Sequence, residues 1–176
     1  MRKPLSLAAL TLAGVLLVGT QPALATTLLS EAIAPLTGVS IEGTCGFTAT
    51  VDQRDLRTLK TWTDAHGSVL AQSVRTQTTT RFAGGPGGEL LLDENTLVTM
   101  VIGGPAAGTV VFVGRGAIWG MDTSLGAPFF LWVTGVVLMH GTFDPKTGTY
   151  VVSSMRIVGQ STPLCESLTT GLKPRH

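Results

Sequence analysis

The side chains that could do catalytic chemistry in this sequence are few, and no familiar arrangement connects them. Nucleophilic hydrolysis needs a nucleophile, a base within reach of it and a third group that orients the base. His66 lies beside Asp64 and Ser68, and His140 precedes Asp144 by four residues. Because Asp readily initiates turns, an ordinary turn explains why each histidine has an Asp close to it in sequence. We therefore assign no catalytic residue and expect the chain not to be an enzyme.

Metal, cofactor and nucleic-acid binding are not predicted either. Two distant histidines and two cysteines cannot supply the three or four ligands of a zinc site at a recognisable spacing. Three carboxylates lie near one expected turn: Glu89, Asp93 and Glu94. Such a group belongs more often to a solvent-exposed turn than to a calcium-binding loop. The glycine-rich loops 84–88 and 103–108 lack the Lys-Ser/Thr ending of a phosphate-binding loop. No cluster of Lys and Arg suits a nucleic acid, so we expect no metal, no cofactor and no nucleic-acid partner.

The first residues have the pattern of a cleaved secretory signal. Met1-Arg2-Lys3 is positively charged, and the run from Leu5 to Val18 is almost wholly apolar. Gly19 and Pro22 then break the helix, and small residues precede a cleavage point after Ala25. The alternative, a membrane anchor, needs a longer apolar run of roughly 20 residues. The sequence predicts signal peptide 1–25, secretion to the extracellular space and no transmembrane segment after cleavage.

Both cysteines, Cys45 and Cys165, lie in the part expected to be exported. In an oxidising compartment a disulfide between them is the default. It would close a loop of 165 − 45 = 120 residues and stabilise the fold by roughly 4 to 5 kcal/mol on the chain-entropy model. A catalytic thiol would need a base close by, and no histidine is near either cysteine in sequence.

Composition predicts one domain with an unusual surface. Removing 25 of 176 residues leaves 151, and the loss of Arg2 and Lys3 changes the formal net charge from +1 to −1. Charged residues make up 13% of the chain, against roughly 25% in ordinary globular domains. Something besides water is therefore expected to cover part of the surface.

Turn residues recur along the chain, and Val, Thr and aromatic residues are frequent between them, which is typical of an all-β fold. We predict a flexible leader or short helix over 26–43, an antiparallel up-and-down β-barrel or sandwich of about eight to nine strands over 44–168, and a disordered tail over 169–176. Turns are expected at 64–67, 93–95 and 144–148. The predicted strands are Cys45 to Asp52, Arg57 to Thr63, Val69 to Thr76, Gln77 to Phe82, Glu89 to Leu92, Leu97 to Ile102, Thr109 to Arg115, Phe129 to His140 and Thr149 to Gly159.

The order of these cysteines and turns resembles a group of small secreted β-domains of actinomycetes. The similarity spans roughly Thr44 to Leu168. The resemblance implies export and a barrel-like or sandwich fold with a disulfide between the first and last strands, and it carries over no catalytic residue or ligand. The segment from Leu90 to Leu92 departs from the pattern, being less polar. The matching features are Cys45 and Phe47, the turns Asp64-x-x-Gly67 and Asp144-Pro145-x-Thr147-Gly148, Gly135 in an apolar strand, and Cys165-x-x-Leu168.

The segment Phe129 to Met139 is apolar on both faces of its predicted strand, except at Thr134 and Gly135. An antiparallel strand of this kind needs two apolar environments. The interior supplies one. The candidates for the second apolar environment are the leader or the loops, a second subunit, a partner protein and lipid. Candidate interface residues, for a homodimer or a protein partner, are Leu97, Val101, Phe130 and Trp132.

The sequence therefore predicts a secreted, non-catalytic β-domain that acts by binding or assembly through an apolar face. One alternative is a carrier of a small apolar ligand inside the barrel, although ordinary core packing explains the same side chains. Another is a cyclase or isomerase, which would need a buried acid without a neutralising partner. The candidate ligand-lining residues of the carrier are Met100, Phe112, Phe129, Leu131 and Met155.

Overall fold

Long antiparallel strands form most of the chain in the computed structural model, which describes residues 27–42, 44–122, 127–144 and 149–174. The predicted signal peptide 1–25, the turn 145–148 and residues 175–176 lie outside the described residues. The elements are β1 (Thr27–Ile33), β2 (Val39–Ile41), β3 (Ala49–Gln53), β4 (Arg57–Thr63), β5 (Val69–Gly85), β6 (Gly88–Val101), β7 (Thr109–Asp122), β8 (Ala127–Asp144), β9 (Thr149–Pro163) and the helix α1 (Leu164–Thr170).

The nine strands belong to one sheet, so the prediction of an antiparallel all-β fold is confirmed. The strand order is β1-β4-β5-β6-β7-β8-β9, with β3 also paired to β5 and β2 paired to β3. A short parallel pairing joins the end of β7 to the start of β9, at Met121 opposite Val151. This contact curls the β7–β9 end of the sheet back on itself.

Two predicted chain breaks are wrong. The predicted strands Val69 to Thr76 and Gln77 to Phe82 are the single strand β5, and Glu89 to Leu92 continues to Leu97 as β6. The expected turn at Asp93-Glu94-Asn95 is therefore strand, with Glu94 opposite Thr78 of β5. The strand β4, Arg57–Thr63, has the predicted bounds.

The predicted leader and tail also need correction. Within 26–43, β1 pairs along its length with β4, and β2 pairs with β3, because strands β3 and β4 would otherwise leave backbone groups unpaired at their edges. At the other end, α1 extends to Thr170 and ends at Gly171, whose φ of 72° is left-handed. Residues 169–170 are thus helical, and residues 171–174 follow the helix as irregular chain that ends with the buried Pro174.

Two apolar clusters lie on opposite faces of β8, which confirms that this strand needs two apolar environments. The disulfide-side cluster contains Phe130 and Trp132 of β8 together with Phe82, and it is covered by β2, β3 and α1. The inner cluster contains Val133 and Val137 of β8. Elements of the chain itself therefore cover both faces of the first half of β8.

The disulfide between Cys45 and Cys165 is present, with the two Cα atoms 5.1 Å apart. Cys45 lies in the bend before β3 and Cys165 lies in α1. The bond therefore joins a loop to the C-terminal helix, rather than the first strand to the last, and it closes the disulfide-side cluster.

A row of three glycines bends the sheet around the inner cluster. Gly114, Gly135 and Gly159 lie opposite one another on β7, β8 and β9, with φ of 126°, 139° and 131°. A Cβ on any of them would approach a backbone oxygen of the neighbouring strand to 2.1 or 2.2 Å. Only glycine permits this close approach, so the sheet can bend along this row across three strands. We call the three residues the glycine hinge line.

Candidate functional site

The convex side of the sheet, opposite the inner cluster, carries a row of exposed aliphatic side chains. We call this side, across β4 to β9, the outer face. Leu97 lies opposite Val113, Val113 opposite Val136, and Val136 opposite Val158. We call these four residues the apolar row, and their exposed fractions are 38%, 43%, 38% and 56%. Neighbouring strands are about 4.8 Å apart, so the row extends about 14 Å across four strands.

Further apolar side chains widen this patch on the same face. Leu138, one step further along β8, is 36% exposed, and Val111 lies opposite it. Large exposed apolar patches on soluble proteins usually mark interaction sites. The apolar row is thus the part of the described surface best suited to an apolar partner.

Positive charges flank the apolar row, and Asp93 of the same strand face lies beyond Asn95, in one pocket with Arg115. Arg75 lies opposite Leu97, Arg156 lies opposite Leu138, and Arg115 is two residues beyond Val113 on β7. The two described ion pairs both belong to Arg81, outside this area. Among the described outer-face positions from the level of Asn95 to the level of Val101, no Asp or Glu occurs.

The arginines of the outer face bond only neutral oxygens among the described residues. Arg75 Nη2 lies 3.5 Å from Asn95 Oδ1, and Arg115 Nε donates to the backbone oxygen of Asp93 at 3.2 Å. Neither contact neutralises a guanidinium charge. The outer face therefore combines aliphatic surface with arginines that form no described ion pair.

A groove lies at the Leu97 end of the apolar row, between β4, β5 and β6. We call it the cationic groove, and its volume is about 470 Å³. Lys60 and Arg75 supply its charges, Trp62 forms an aromatic wall, and Leu97 joins it to the apolar row. The remaining lining residues carry hydroxyl groups: Thr58, Ser73 and Thr99.

Ser73 has an unusual position on the floor of this groove. The residue is only 4% exposed, and its Oγ makes no hydrogen bond within the described residues. Buried polar groups are normally hydrogen-bonded. The hydroxyl of Ser73 therefore remains available to a molecule that enters the groove.

Of the four residues predicted to form an interface, two lie on the outer face and two are buried. Leu97 belongs to the apolar row, and Val101 lies on the same face, half-buried. Phe130 and Trp132 are each 2% exposed, so their prediction as interface residues is wrong. They pack on Phe82, with ring centroids 5.9 and 6.3 Å apart, because the sheet folds this face of β8 over β5.

The five residues predicted to line a ligand cavity do come together. Phe112 is a buried member of the inner cluster, and the other four, Met100, Phe129, Leu131 and Met155, pack against it. Those four side chains are half-buried, and the five belong to one apolar cluster.

A buried carboxylate that the sequence did not indicate lies where β6 and β7 separate. Glu94 is 6% exposed. Its Oε2 accepts hydrogen bonds from Thr80 Oγ1 at 2.6 Å and Gln53 Nε2 at 3.0 Å, and its Oε1 accepts from the backbone N–H of Ala117 at 2.8 Å. The hypothesis of a catalytic acid needed a carboxylate without such partners. The contacts of Glu94 are those of a structural group.

Arg57 lies within the electrostatic field of this carboxylate. Burial lowers the pKa of the Arg57 guanidinium, and the negative charge of Glu94 acts in the opposite direction. The side chain also donates two hydrogen bonds to the backbone oxygen of Ala34, at 3.0 and 2.8 Å. Arg57 thereby ties the segment after β1 to β4.

His66 lies in the turn between β4 and β5, and His140 lies on strand β8. Asp64 Oδ1 accepts from the backbone N–H groups of His66 and Ser68, at 2.8 and 2.9 Å, and the bond from Ser68 is the main cause of the lowered pKa of Asp64. His140 Nδ1 lies 3.2 Å from Thr109 Oγ1. The side chain of Asp144 lies outside the described residues.

No group of three or more His, Cys, Asp or Glu side chains in the described part of the chain is placed to hold a metal ion. None of the described helical residues forms a helix of the length and apolarity that crossing a membrane requires. Comparisons of the chain with protein-family models, with curated proteins and with solved structures gave no match.

Proposed function

We propose that this chain is a secreted, non-catalytic binding domain whose outer face docks on a membrane surface that contains anionic lipid. The observation that supports the proposal most strongly is the apolar row, which is exposed beside three arginines, with no described acid from the level of Asn95 to the level of Val101. Binding of proteins at a lipid surface scales with the buried apolar area and with attraction to anionic headgroups. The outer face offers both contributions side by side.

The charge pattern favours lipid over a second copy of the chain. If two outer faces met, Arg75, Arg115 and Arg156 of one copy would face the same cations of the other. Like charges across an interface oppose association, and no described acid lies between the level of Asn95 and the level of Val101 to offset them. An anionic surface instead attracts each cation by about 1 kcal/mol close to the headgroups.

The shape of the face also suits a lipid surface. The apolar row lies on the convex side of the sheet, and its side chains are only partly exposed. A convex patch of four aliphatic side chains fits shallow insertion at the boundary between headgroups and acyl chains. Lys60 and the arginines lie at its margins, where headgroup phosphates would be within reach.

Vesicle flotation with purified mature protein tests this proposal. Vesicles of phosphatidylcholine alone are compared with vesicles that also contain phosphatidylglycerol, at low and high salt. We expect flotation with the anionic vesicles and a loss of binding at high salt, because exposed charges are screened. The double variant Val113→Ser/Val136→Ser should bind roughly tenfold or more weakly.

The control variant removes two exposed leucines that lie away from the outer face. Leu29 and Leu172 are 60% and 69% exposed, so Leu29→Ser/Leu172→Ser should float like the unmodified protein. Equal binding by the row variant and the control would contradict the proposal. So would a stable dimer in light scattering that the row variant abolishes, because the face would then belong to a second copy.

A further inference from the structure

We infer that the cationic groove is a specific site for the phosphate of an anionic lipid headgroup, an inference whose lipid source rests on the proposed function. Two cations, hydroxyl groups and an aromatic wall meet in this groove beside the first residue of the apolar row. A phosphate in the groove would place its attached apolar chains next to Leu97.

The register of three strands brings the polar groups of the groove together. Lys60 lies opposite Ser73, and Ser73 lies opposite Thr99. Arg75 is two residues from Ser73 on the same face of β5, so it is diagonal to Lys60, at a typical separation of about 7 to 8 Å between such positions. Both long side chains can therefore reach one anion above Ser73.

The hydroxyl of Ser73 supplies a donor that is separate from the two charges. The residue is 4% exposed and lies at the base of the groove, and its Oγ has no hydrogen-bond partner within the described residues. An anionic oxygen above it would accept its O–H.

The donor set suits phosphate better than a carboxylate. Lys offers three N–H donors and Arg offers five in a planar fork, and the hydroxyl groups of the groove add further donors. A phosphate has more acceptor oxygens than a carboxylate to match them, and Arg and Lys are the usual residues that bind it. Within the described residues neither Lys60 nor Arg75 has an acidic partner that would compete.

The Trp62 wall defines the orientation of the bound headgroup. Trp62 lies one step beyond Lys60 on the same face of β4, and Trp side chains favour the region between apolar and wet surroundings. With Leu97 on the other side of the groove, the apolar chains of the lipid leave along the apolar row. Trp62 also provides a fluorescence signal for binding.

The test is a titration of the folded protein with soluble probes, followed by tryptophan fluorescence and by amide NMR shifts of Ser73 and Thr99. The probes are inorganic phosphate and a short-chain alkyl phosphate. We expect saturable shifts with the alkyl phosphate and weaker binding of inorganic phosphate, which lacks a chain to contact Leu97. Equal affinity for the two probes would overturn the lipid assignment, because the groove would then bind free phosphate.

The variant Lys60→Gln/Arg75→Gln should bind the alkyl phosphate roughly thirty-fold more weakly, and Ser73→Ala should bind it several-fold more weakly. The control is Arg156→Gln, which removes an outer-face charge away from the groove and should change binding of the soluble probe less than twofold. Far-ultraviolet circular dichroism confirms folding of each variant. If the groove variants bind the probe as the unmodified protein does, the site is disproved.

The two proposals fail in different ways. Alkyl phosphate binding without any flotation on anionic vesicles would overturn the docking of the outer face and support the groove. Flotation that depends on Val113 and Val136 but is unchanged in Lys60→Gln/Arg75→Gln would overturn the groove and support the docking face.

Discussion

Glu94 Oε1 accepts a hydrogen bond from the backbone N–H of Ala117 at the point where β7 leaves β6. The last paired residues of these strands are Asn95 and Arg115, so beyond them the amide of Ala117 has lost a strand partner. The carboxylate replaces that partner. This one contact lets β7 turn toward the disulfide-side cluster while its buried backbone remains hydrogen-bonded.

Replacing Glu94 should destabilise the fold more than its charge alone suggests. Glu94→Ala leaves the N–H of Ala117, the hydroxyl of Thr80 and the amide of Gln53 without an acceptor, at a cost of roughly 2 to 4 kcal/mol in the free energy of unfolding. Chemical denaturation measures the change. The exposed Glu31 of β1 is the control, and Glu31→Ala should stay within about 0.5 kcal/mol. Similar effects of the two variants would show that the Glu94 contacts are dispensable.

The glycine hinge line should not tolerate a side chain. In Gly135→Ala the added Cβ would lie 2.2 Å from the backbone oxygen of Val158, so the strands must separate, and we expect a loss of roughly 3 kcal/mol or more, or failure to fold. Gly104→Ala is the matched control, because Gly104 also has positive φ but open space around it. The melting temperature of Gly104→Ala should be well above that of Gly135→Ala. The reverse order would contradict the role of the glycine hinge line.

Truncation at the two ends of one face of β8 should have very different costs. Phe130→Ala removes a ring packed on Phe82 and should cost roughly 3 to 5 kcal/mol, whereas Val136→Ala on the outer face should cost well under 1 kcal/mol. Denaturant titration of both variants measures this difference. Near-normal stability of Phe130→Ala would mean that the first half of this face of β8 is also exposed to solvent.

Loss of the disulfide should weaken the fold without changing it. Cys45→Ser/Cys165→Ser opens a loop of 120 residues and should lower the free energy of unfolding by roughly 2 to 5 kcal/mol. Denaturation in guanidinium gives the value, and the unmodified protein unfolded with a reductant should match the variant. Free thiols that react in the native protein without reductant would contradict the bond.

The turn between β4 and β5 should contribute stability that depends on pH. Hydrogen bonds from Ser68 and His66 hold the pKa of Asp64 below its usual range, so the folded state binds a proton more weakly than the unfolded chain. This stabilisation is present above the unfolded pKa of about 3.9 and is lost as the pH falls through the folded pKa. The stability difference between the protein and Asp64→Ala should shrink over that acidic range, and a constant difference would contradict it.

Local patterns in the sequence were sufficient for the fold class, the disulfide pair and strand β4. Alternating Val, Thr and aromatic residues indicate strands, and Asp64 with Gly67 indicates a turn, because these signals depend on neighbouring residues only. The two apolar faces of β8 were also evident from composition. The elements that cover these two faces could not be predicted from local patterns, because they depend on the path of the whole chain.

The errors come from partners that are distant in sequence. Asp93-Glu94-Asn95 has the composition of a turn, yet Glu94 is buried because Gln53 and Ala117 approach it from β3 and β7. Strand periodicity gives a faint signal, since Leu90, Leu92, Glu94 and Thr96 alternate with exposed residues. The cationic groove likewise needed the register of three strands, which no local pattern provides.

Residue-resolved line broadening by spin-labelled lipid is the most direct test of the docking face. Amide NMR spectra of the protein are recorded with nanodiscs that contain phosphatidylglycerol and a headgroup-region nitroxide lipid. If the outer face docks on the lipid, broadening is strong at Leu97, Val113, Val136 and Val158 and weak at Glu31 on the opposite face. Uniform broadening, or broadening centred away from these four residues, would contradict it.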